Sequence, residues 1–299
     1  MIDYHVHLWP HAERAEESEL TLERVAAYVA QAERNGVGEI ALTEHFFRFE
    51  KGRAVVEGWW DAYDDRGEAR RHVVQYFDHH STADLDRYAE TVEAAKAAGL
   101  PVLAGLEVDY YPGLMDKVGR FLEGYPFDVL LGSVHWLGLW LFDVLEDAYA
   151  QRRWELVAIG DVWRSYAEAL EELAASGVCD VLAHPDLVKI GRRYPEPALL
   201  EECEVRIAEA AARSGMAAEL SSAGWRKAGE QYPSASLLGR FCAAGVPITF
   251  ASDSHGPALV GERNADLVAA ARRAGYERVR TFSARKPADR PLAVGEERP

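Results

Sequence analysis

Met1-Ile2-Asp3-Tyr4-His5-Val6-His7 opens the 299-residue chain as a short strand, and the rest of the sequence is best read outward from it. Side chains alternate across a strand, so His5 and His7 share one face, a spacing that metal ligation uses. The same spacing suits two packed or solvated histidines on an edge strand, and this stretch alone does not separate the two readings. What separates them lies downstream. His11, His45, Glu107, His135, His184, Asp253 and His255 each fall just after a segment that reads as a strand, so all can converge at one end of a sheet or barrel.

Strand and helix patterns alternate along the chain. Leu22, Val25, Ala26, Val29 and Ala32 recur at helical spacing within 21–35, Gly36 stops them, and the strand 39–43 then delivers Glu44 and His45. The unit repeats: helix 84–98 and strand 102–108 with Glu107, helix 115–122 and strand 128–134 before His135, helix 162–175 and strand 178–183 before His184. Helix 199–214 precedes strand 217–220, which ends at Ser221-Ser222, and helix 235–244 precedes strand 248–251, which leads to Asp253 and His255. Helix 264–274 and a short strand near Val279 close the domain. Seven strands alternating with helices imply a parallel sheet, and right-handed crossovers put every strand's carboxyl end on one side. Six of the seven ends carry a candidate ligand. In closed β/α barrels and in open α/β sheets alike, that side is where ligands bind.

Two segments break the pattern. Residues 46–81 show no clean period and read as a long insertion, a lid or an oligomer contact, with His72, His79 and His80 belonging to it rather than to the site. Residues 284–299, rich in Pro, Arg and Glu, read as a solvated or disordered tail, leaving a single domain over 1–283. Trp59, Trp60, Trp136 and Trp140 read as packing residues.

Composition narrows the function. With 33 basic and 49 acidic residues the formal charge is −16, which repels a phosphate backbone and makes nucleic acid a poor partner. A small anionic substrate stays open, because bound divalent cations reverse the potential inside a cleft. Cys179, Cys203 and Cys242 are odd in number and far apart, so neither a disulfide framework nor a zinc ribbon is indicated and they read as small buried residues. The longest apolar stretch, 136–145, is interrupted by Asp143 and too short to span a membrane, and no secretory pattern follows Met1. The cytoplasm is the expected compartment. Oligomeric state is not legible.

Taken in order, His5-Val6-His7, Thr43-Glu44-His45, Gly105-Leu106-Glu107-Val108-Asp109-Tyr110, Ser133-Val134-His135, Ala183-His184 and Ser252-Asp253-Ser254-His255 resemble the PHP (polymerase and histidinol phosphatase) metallophosphoesterases over nearly the whole chain. The stretches at Gly105 and at Ser222-Ala223-Gly224-Trp225-Arg226-Lys227 resemble the histidinol-phosphatase branch in particular. The resemblance implies a distorted seven-stranded (β/α)7 barrel, TIM-like, holding three divalent metals, with Zn, Fe and Mn all compatible with imidazole and carboxylate ligands. Carried over residue by residue, His5, His7, Glu107 and Asp253 would hold the first metal. Bridging Glu107 with His135 and His184 would hold the second, and His11, His45 and His255 the third. The Trp9-Pro10-His11 turn is shorter than the family's usual spacing, and Ala183 stands before His184 where the family usually has Gly.

The chemistry expected of such a site needs no side-chain nucleophile. Metals lower the pKa of bound water and brace the attacking and leaving oxygens of an in-line displacement at phosphorus. Protein groups then supply charge stabilisation and positioning. Arg226 is the expected phosphate-gripping residue, with Lys227 beside it, although by position alone it also fits a surface arginine. Asp186 fits equally a group orienting a ligand histidine, a pocket carboxylate for a substrate amine, or a turn cap. The leading expectation is hydrolysis of L-histidinol phosphate. The alternatives are a related phosphoesterase for another small ester such as a nucleotide, a metal-dependent nuclease, and a noncatalytic scaffold; the last would be expected to lose ligands, yet all nine are present.

Overall fold

Local chemistry sets where the helices begin and end. Thr21 accepts a hydrogen bond from Arg24 N to start Leu22–Arg34, Asp84 does the same for Leu85–Ala97, Asp147 for Ala148–Leu156 and Ser234 for Ala235–Ala243. Each such cap is worth about 1 kcal/mol. The long helices Ile159–Ser176 and Pro197–Ser214 stop at Gly177 and Gly215, whose φ values of 67° and 75° suit a residue without a Cβ. The computed structural model describes residues 1–63 and 67–292.

Eleven strands are described: β1 (Ile2–Val6), β2 (Glu39–His45), β3 (Val102–Asp109), β4 (Val129–Ser133), β5 (Trp136–Leu137), β6 (Trp140–Leu141), β7 (Val181–Leu182), β8 (Ala217–Ser221), β9 (Ile248–Ala251), β10 (Arg278–Ser283) and β11 (Lys286–Pro291). Seven form one parallel sheet in the order β1-β2-β3-β4-β7-β8-β9. The sheet nearly closes on itself. His7 N donates to Ser254 O at 2.8 Å, Ser254 N to His5 O at 3.3 Å, and Ser252 N to the Asp3 carboxylate at 2.9 Å, so β1 is fastened to the segment after β9 by a few bonds rather than a full ladder. This is the distorted seven-stranded β/α barrel, with every strand's carboxyl end at one mouth. No helix among the described residues is long and apolar enough to cross a membrane.

The segment 46–81 packs on the core: its described residues include two α-helices, Glu50–Val56 and Glu68–His80, with the 3-10 helix Trp59–Ala62 between them in sequence. Val55, Val56, Trp59, Trp60, Val73 and Phe77 are buried in the main core. Ala69, Val73, Phe77 and His80 keep helical spacing, but the aromatic and histidine content around them hides the period. The tail is likewise shorter than its composition suggests. Residues 286–291 pair antiparallel with β10 as β11, and Arg285 is anchored on Asp180, which orders a Pro-rich segment that shows no strand pattern of its own. Residues 293–299, the rest of the expected tail, lie outside the described residues.

Candidate metal centre

The mouth is built from strand ends outward. β1 places His5 and His7 on one face, β3 brings Glu107 between them, and the turn after β9 brings Asp253. His5 Nε2 lies 3.2 Å from Glu107 Oε2 and 3.9 Å from Asp253 Oδ1, and His7 Nε2 lies 3.5 and 3.7 Å from the same two oxygens. Four ligands at about 2.1 Å around a tetrahedral ion are about 3.4 Å apart, so this quartet has the dimensions of a cation cage. On the other side of Glu107, Oε1 is 3.0 Å from His184 Nε2 and 3.5 Å from His135 Nε2. Glu107 thus presents one oxygen to each group, as a bridging carboxylate does. His45 Nδ1 approaches Glu107 Oε2 at 2.8 Å, and His7, His45 and His255 form a further cluster with ligand atoms within 4.8 Å of one another.

The arrangement fits metal ions better than any hydrogen-bonded alternative. His5 Nε2, His7 Nε2, both ring nitrogens of His45 and Glu107 Oε2 are buried without a hydrogen-bond partner among the described residues. Each such atom costs about 1–3 kcal/mol unless something satisfies it, and several facing one another are hard to explain without a cation between them. Burial alone would neutralise Glu107, yet His45, His5 and His135 outweigh it and hold its carboxyl well below the ordinary range. Burial and then His255 push the His7 imidazole down to about 4, leaving it neutral and able to ligate near neutral pH. His184 and Asp253 have φ values of 27° and 50°. Non-glycine residues held there store strain of about 1–3 kcal/mol each, a cost typical of functional positions.

The residues that aim these ligands were not legible as site residues in the sequence. His5 Nδ1 is 2.6 Å from Glu219, His7 Nδ1 3.3 Å from Glu44, and His135 Nδ1 2.6 Å from Asp109. His255 Nδ1 lies 3.1 Å from the Trp9 carbonyl oxygen. Such contacts fix ring orientation and tautomer and turn the other nitrogen inward. One signal does exist: Glu219 is a carboxylate in the otherwise apolar strand Ala-Ala-Glu-Leu, and Glu44 and Asp109 likewise sit at buried strand ends. Arg48 is a further addition. Its guanidinium is buried, donates to the carbonyls of Glu13, Pro10 and His11, and lies 3.2 Å from Glu44, so the segment 46–81 holds the turn that carries His11.

His11 joins none of the tight ligand clusters; its ring centroid is 5.3 Å from that of His255 and 5.9 Å from that of His45. Lys227 Nζ is 2.9 Å from Asp253 Oδ2. Arg226 Nη2 donates to the carbonyls of Ser252 and Asp253 at 2.9 and 3.1 Å, and Nη1 pairs with Glu262. Of the five N–H donors of a guanidinium, three are thus engaged. Gly224 lets this turn form: a Cβ there would meet the Glu230 carbonyl oxygen at 2.2 Å. Asp186 is buried against Lys189 at 2.9 Å and accepts from Ser234 N at 2.7 Å. Above the clusters opens a cleft of about 540 Å³, lined by His11, Asp143, Ile190, Arg226, Lys227 and His255 among others.

Comparison with known proteins agrees with this geometry. The family model described as the PHP domain matches residues 10–223. A probable histidinol-phosphatase of Deinococcus radiodurans is 35% identical over 207 residues, covering 68% of this chain and 76% of that one. The crystal structure of histidinol phosphate phosphatase from Lactococcus lactis subsp. lactis, complexed with Zn, L-histidinol and phosphate, superposes with a TM-score of 0.69 at 21% identity, covering 96% of this chain and 98% of the other. That of a putative histidinol phosphatase from Listeria monocytogenes gives 0.67 at 20% identity over 89% and 99%. At these identities the two structures speak for the fold. A seven-stranded barrel with histidines and carboxylates gathered at its mouth, matched along most of its length by one family model, belongs to the PHP domain family.

Proposed function

We propose that the protein is a cytoplasmic phosphomonoesterase that hydrolyses L-histidinol phosphate to L-histidinol and phosphate. The observation that carries this reading is the buried Glu107, whose two oxygens face His5, His7 and His45 on one side and His135 and His184 on the other, beneath a cleft bearing two cationic side chains. The probable histidinol-phosphatase relative directs the choice of ester.

His5, His7, Glu107 and Asp253 would hold one divalent ion, Glu107, His135 and His184 a second, and His45 and His255 a third, with His11 as its outermost ligand. Zn, Fe and Mn suit this donor set. Ions at these positions supply an activated water and a charge clamp for displacement at phosphorus. The chain's own groups do the rest. Arg226, fixed by two backbone carbonyls, offers its remaining N–H groups to the phosphate, and Lys227 adds a point charge beside Asp253. Glu219, Glu44 and Asp109 keep the imidazoles turned inward. A nuclease reading has the net charge of −16 against it.

Phosphate release from L-histidinol phosphate, nucleoside 5′-monophosphates, p-nitrophenyl phosphate and single-stranded DNA, with metal content measured on the same preparation, tests the proposal. The expected result is kcat/KM at least about tenfold higher for L-histidinol phosphate than for any other substrate. A preference for nucleotides or DNA, or a metal-free protein with full activity, would overturn it.

A further inference from the structure

The mouth carries more carboxylates than its ligand positions need, and nearly all have evident partners. Glu107 and Asp253 face the imidazoles, Glu219, Glu44 and Asp109 orient them, and Asp186 is paired with Lys189. Asp143 differs in its place: its Oδ1 is buried with no hydrogen-bond partner among the described residues, as are single oxygens of Glu107, Asp109, Asp186 and Glu219, but of these five residues it is the one that lines the cleft with Arg226 and Lys227.

Its backbone is firmly placed. The preceding Phe142 is fully buried, its N–H donates to the carbonyl of the ligand residue His135 at 3.2 Å, and its carbonyl accepts from Trp154 Nε1 at 2.8 Å. The loop that presents Asp143 is therefore tied directly to the metal centre. Val144, Leu145 and Ile190 give the cleft an apolar wall. Burial would lower the Lys227 ammonium, but Asp253 and then Asp143 outweigh it and raise it, so the charge of Asp143 is felt at the cationic end of the cleft.

A cleft with a cationic pole at Arg226 and Lys227, an apolar wall and an unsatisfied carboxylate suits a ligand that is anionic at one end and cationic at the other. We propose that Asp143 is a specificity-determining residue that receives the ammonium group of an aminoalkyl phosphate. This rests on the phosphomonoesterase reading above and adds to it a reason for preferring an amino alcohol ester. A carboxylate oxygen buried without a donor is unfavourable until one arrives, so the ammonium gains a charge-assisted hydrogen bond that an ester without the amino group forgoes. A nucleoside monophosphate carries no such cation and gains nothing from Asp143.

The test compares matched pairs of esters that differ only in the amino group: L-histidinol phosphate with 3-(imidazol-4-yl)propyl phosphate, and O-phosphoethanolamine with ethyl phosphate. Asp143→Asn should lower kcat/KM for the ammonium ester of the preferred pair by about 10- to 100-fold and for its amino-free partner by less than about 3-fold, with metal content unchanged. Asp143→Ser is the second variant if the first does not fold. Equal losses on both members of a pair would make Asp143 a general structural or catalytic group, and no loss on either would remove it from the site; both outcomes overturn the inference. If the wild-type protein prefers O-phosphoethanolamine to L-histidinol phosphate, the proposed substrate falls while Asp143 stands, provided the variant erases the preference for the amino group. Wild-type indifference to the amino group in both pairs overturns the role of Asp143 itself.

Discussion

The two ends of the barrel carry similar charges and treat them in opposite ways. At the amino ends of the strands, Arg285 grips Asp180 with two N–H groups at 2.9 and 3.0 Å and donates to the Val178 carbonyl at 2.6 Å. Asp128 there accepts from Lys96 at 2.7 Å and from the backbone of Ala104 and Ala284. Donors and acceptors match, and the charges close the bottom of the barrel under β10 and β11. At the mouth, by contrast, His5 Nε2, His7 Nε2, both ring nitrogens of His45 and Glu107 Oε2 are buried without a hydrogen-bond partner among the described residues, and so is Asp143 Oδ1. A satisfied network serves the fold, whereas an unsatisfied one is sustained for something that binds.

Variants at the two ends should separate these roles. The largest effect is expected from Glu107→Gln, because an amide cannot neutralise two cations: kcat/KM should fall by about a thousandfold or more and bound metal should drop, with the circular dichroism spectrum retained. Unchanged metal content and turnover would take Glu107 out of the site. Next comes Glu219→Gln, which leaves every ligand in place but loosens His5. Metal affinity or activity should fall about 10- to 100-fold, read by titrating a chelator against activity. If the variant holds metal as tightly as wild type, the contact between Glu219 and His5 is packing and nothing more.

Arg226→Ala should lower kcat/KM by about one to two orders of magnitude while all metal is retained. Because Arg226 also ties down the Ser252 and Asp253 carbonyls, Arg226→Lys should recover little. Full activity in the lysine variant would show that charge alone matters at this position. The smallest effect on catalysis belongs to the opposite end. Arg285→Ala should cost about 1–2 kcal/mol of stability, discounted for the partial exposure of Arg285, and leave kcat/KM unchanged. Denaturant unfolding beside kinetics checks this, and a loss of activity without a loss of stability would break the division between the two ends.

What the sequence determined by itself is what depends on local period. The alternation of strands and helices placed His5, His7, His45, Glu107, His135, His184 and Asp253 at strand ends, and a parallel sheet has to bring those ends to one side. The candidate ligands were readable because they sit where a strand stops, which neighbouring residues reveal. The tertiary structure alone decided what depends on distant partners. Glu219 meets His5 across 214 positions, and Asp3 holds Ser252 across 249. Arg48 fixes the His11 turn from a segment whose helical period is masked by its aromatic content. β11 is a strand because β10 lies beside it and Arg285 finds Asp180, not because its residues favour one. Hydrogen bonds and ion pairs of this kind depend on distances of about 3 Å between chain segments, and periodicity read along one segment carries no information about the segment that will face it.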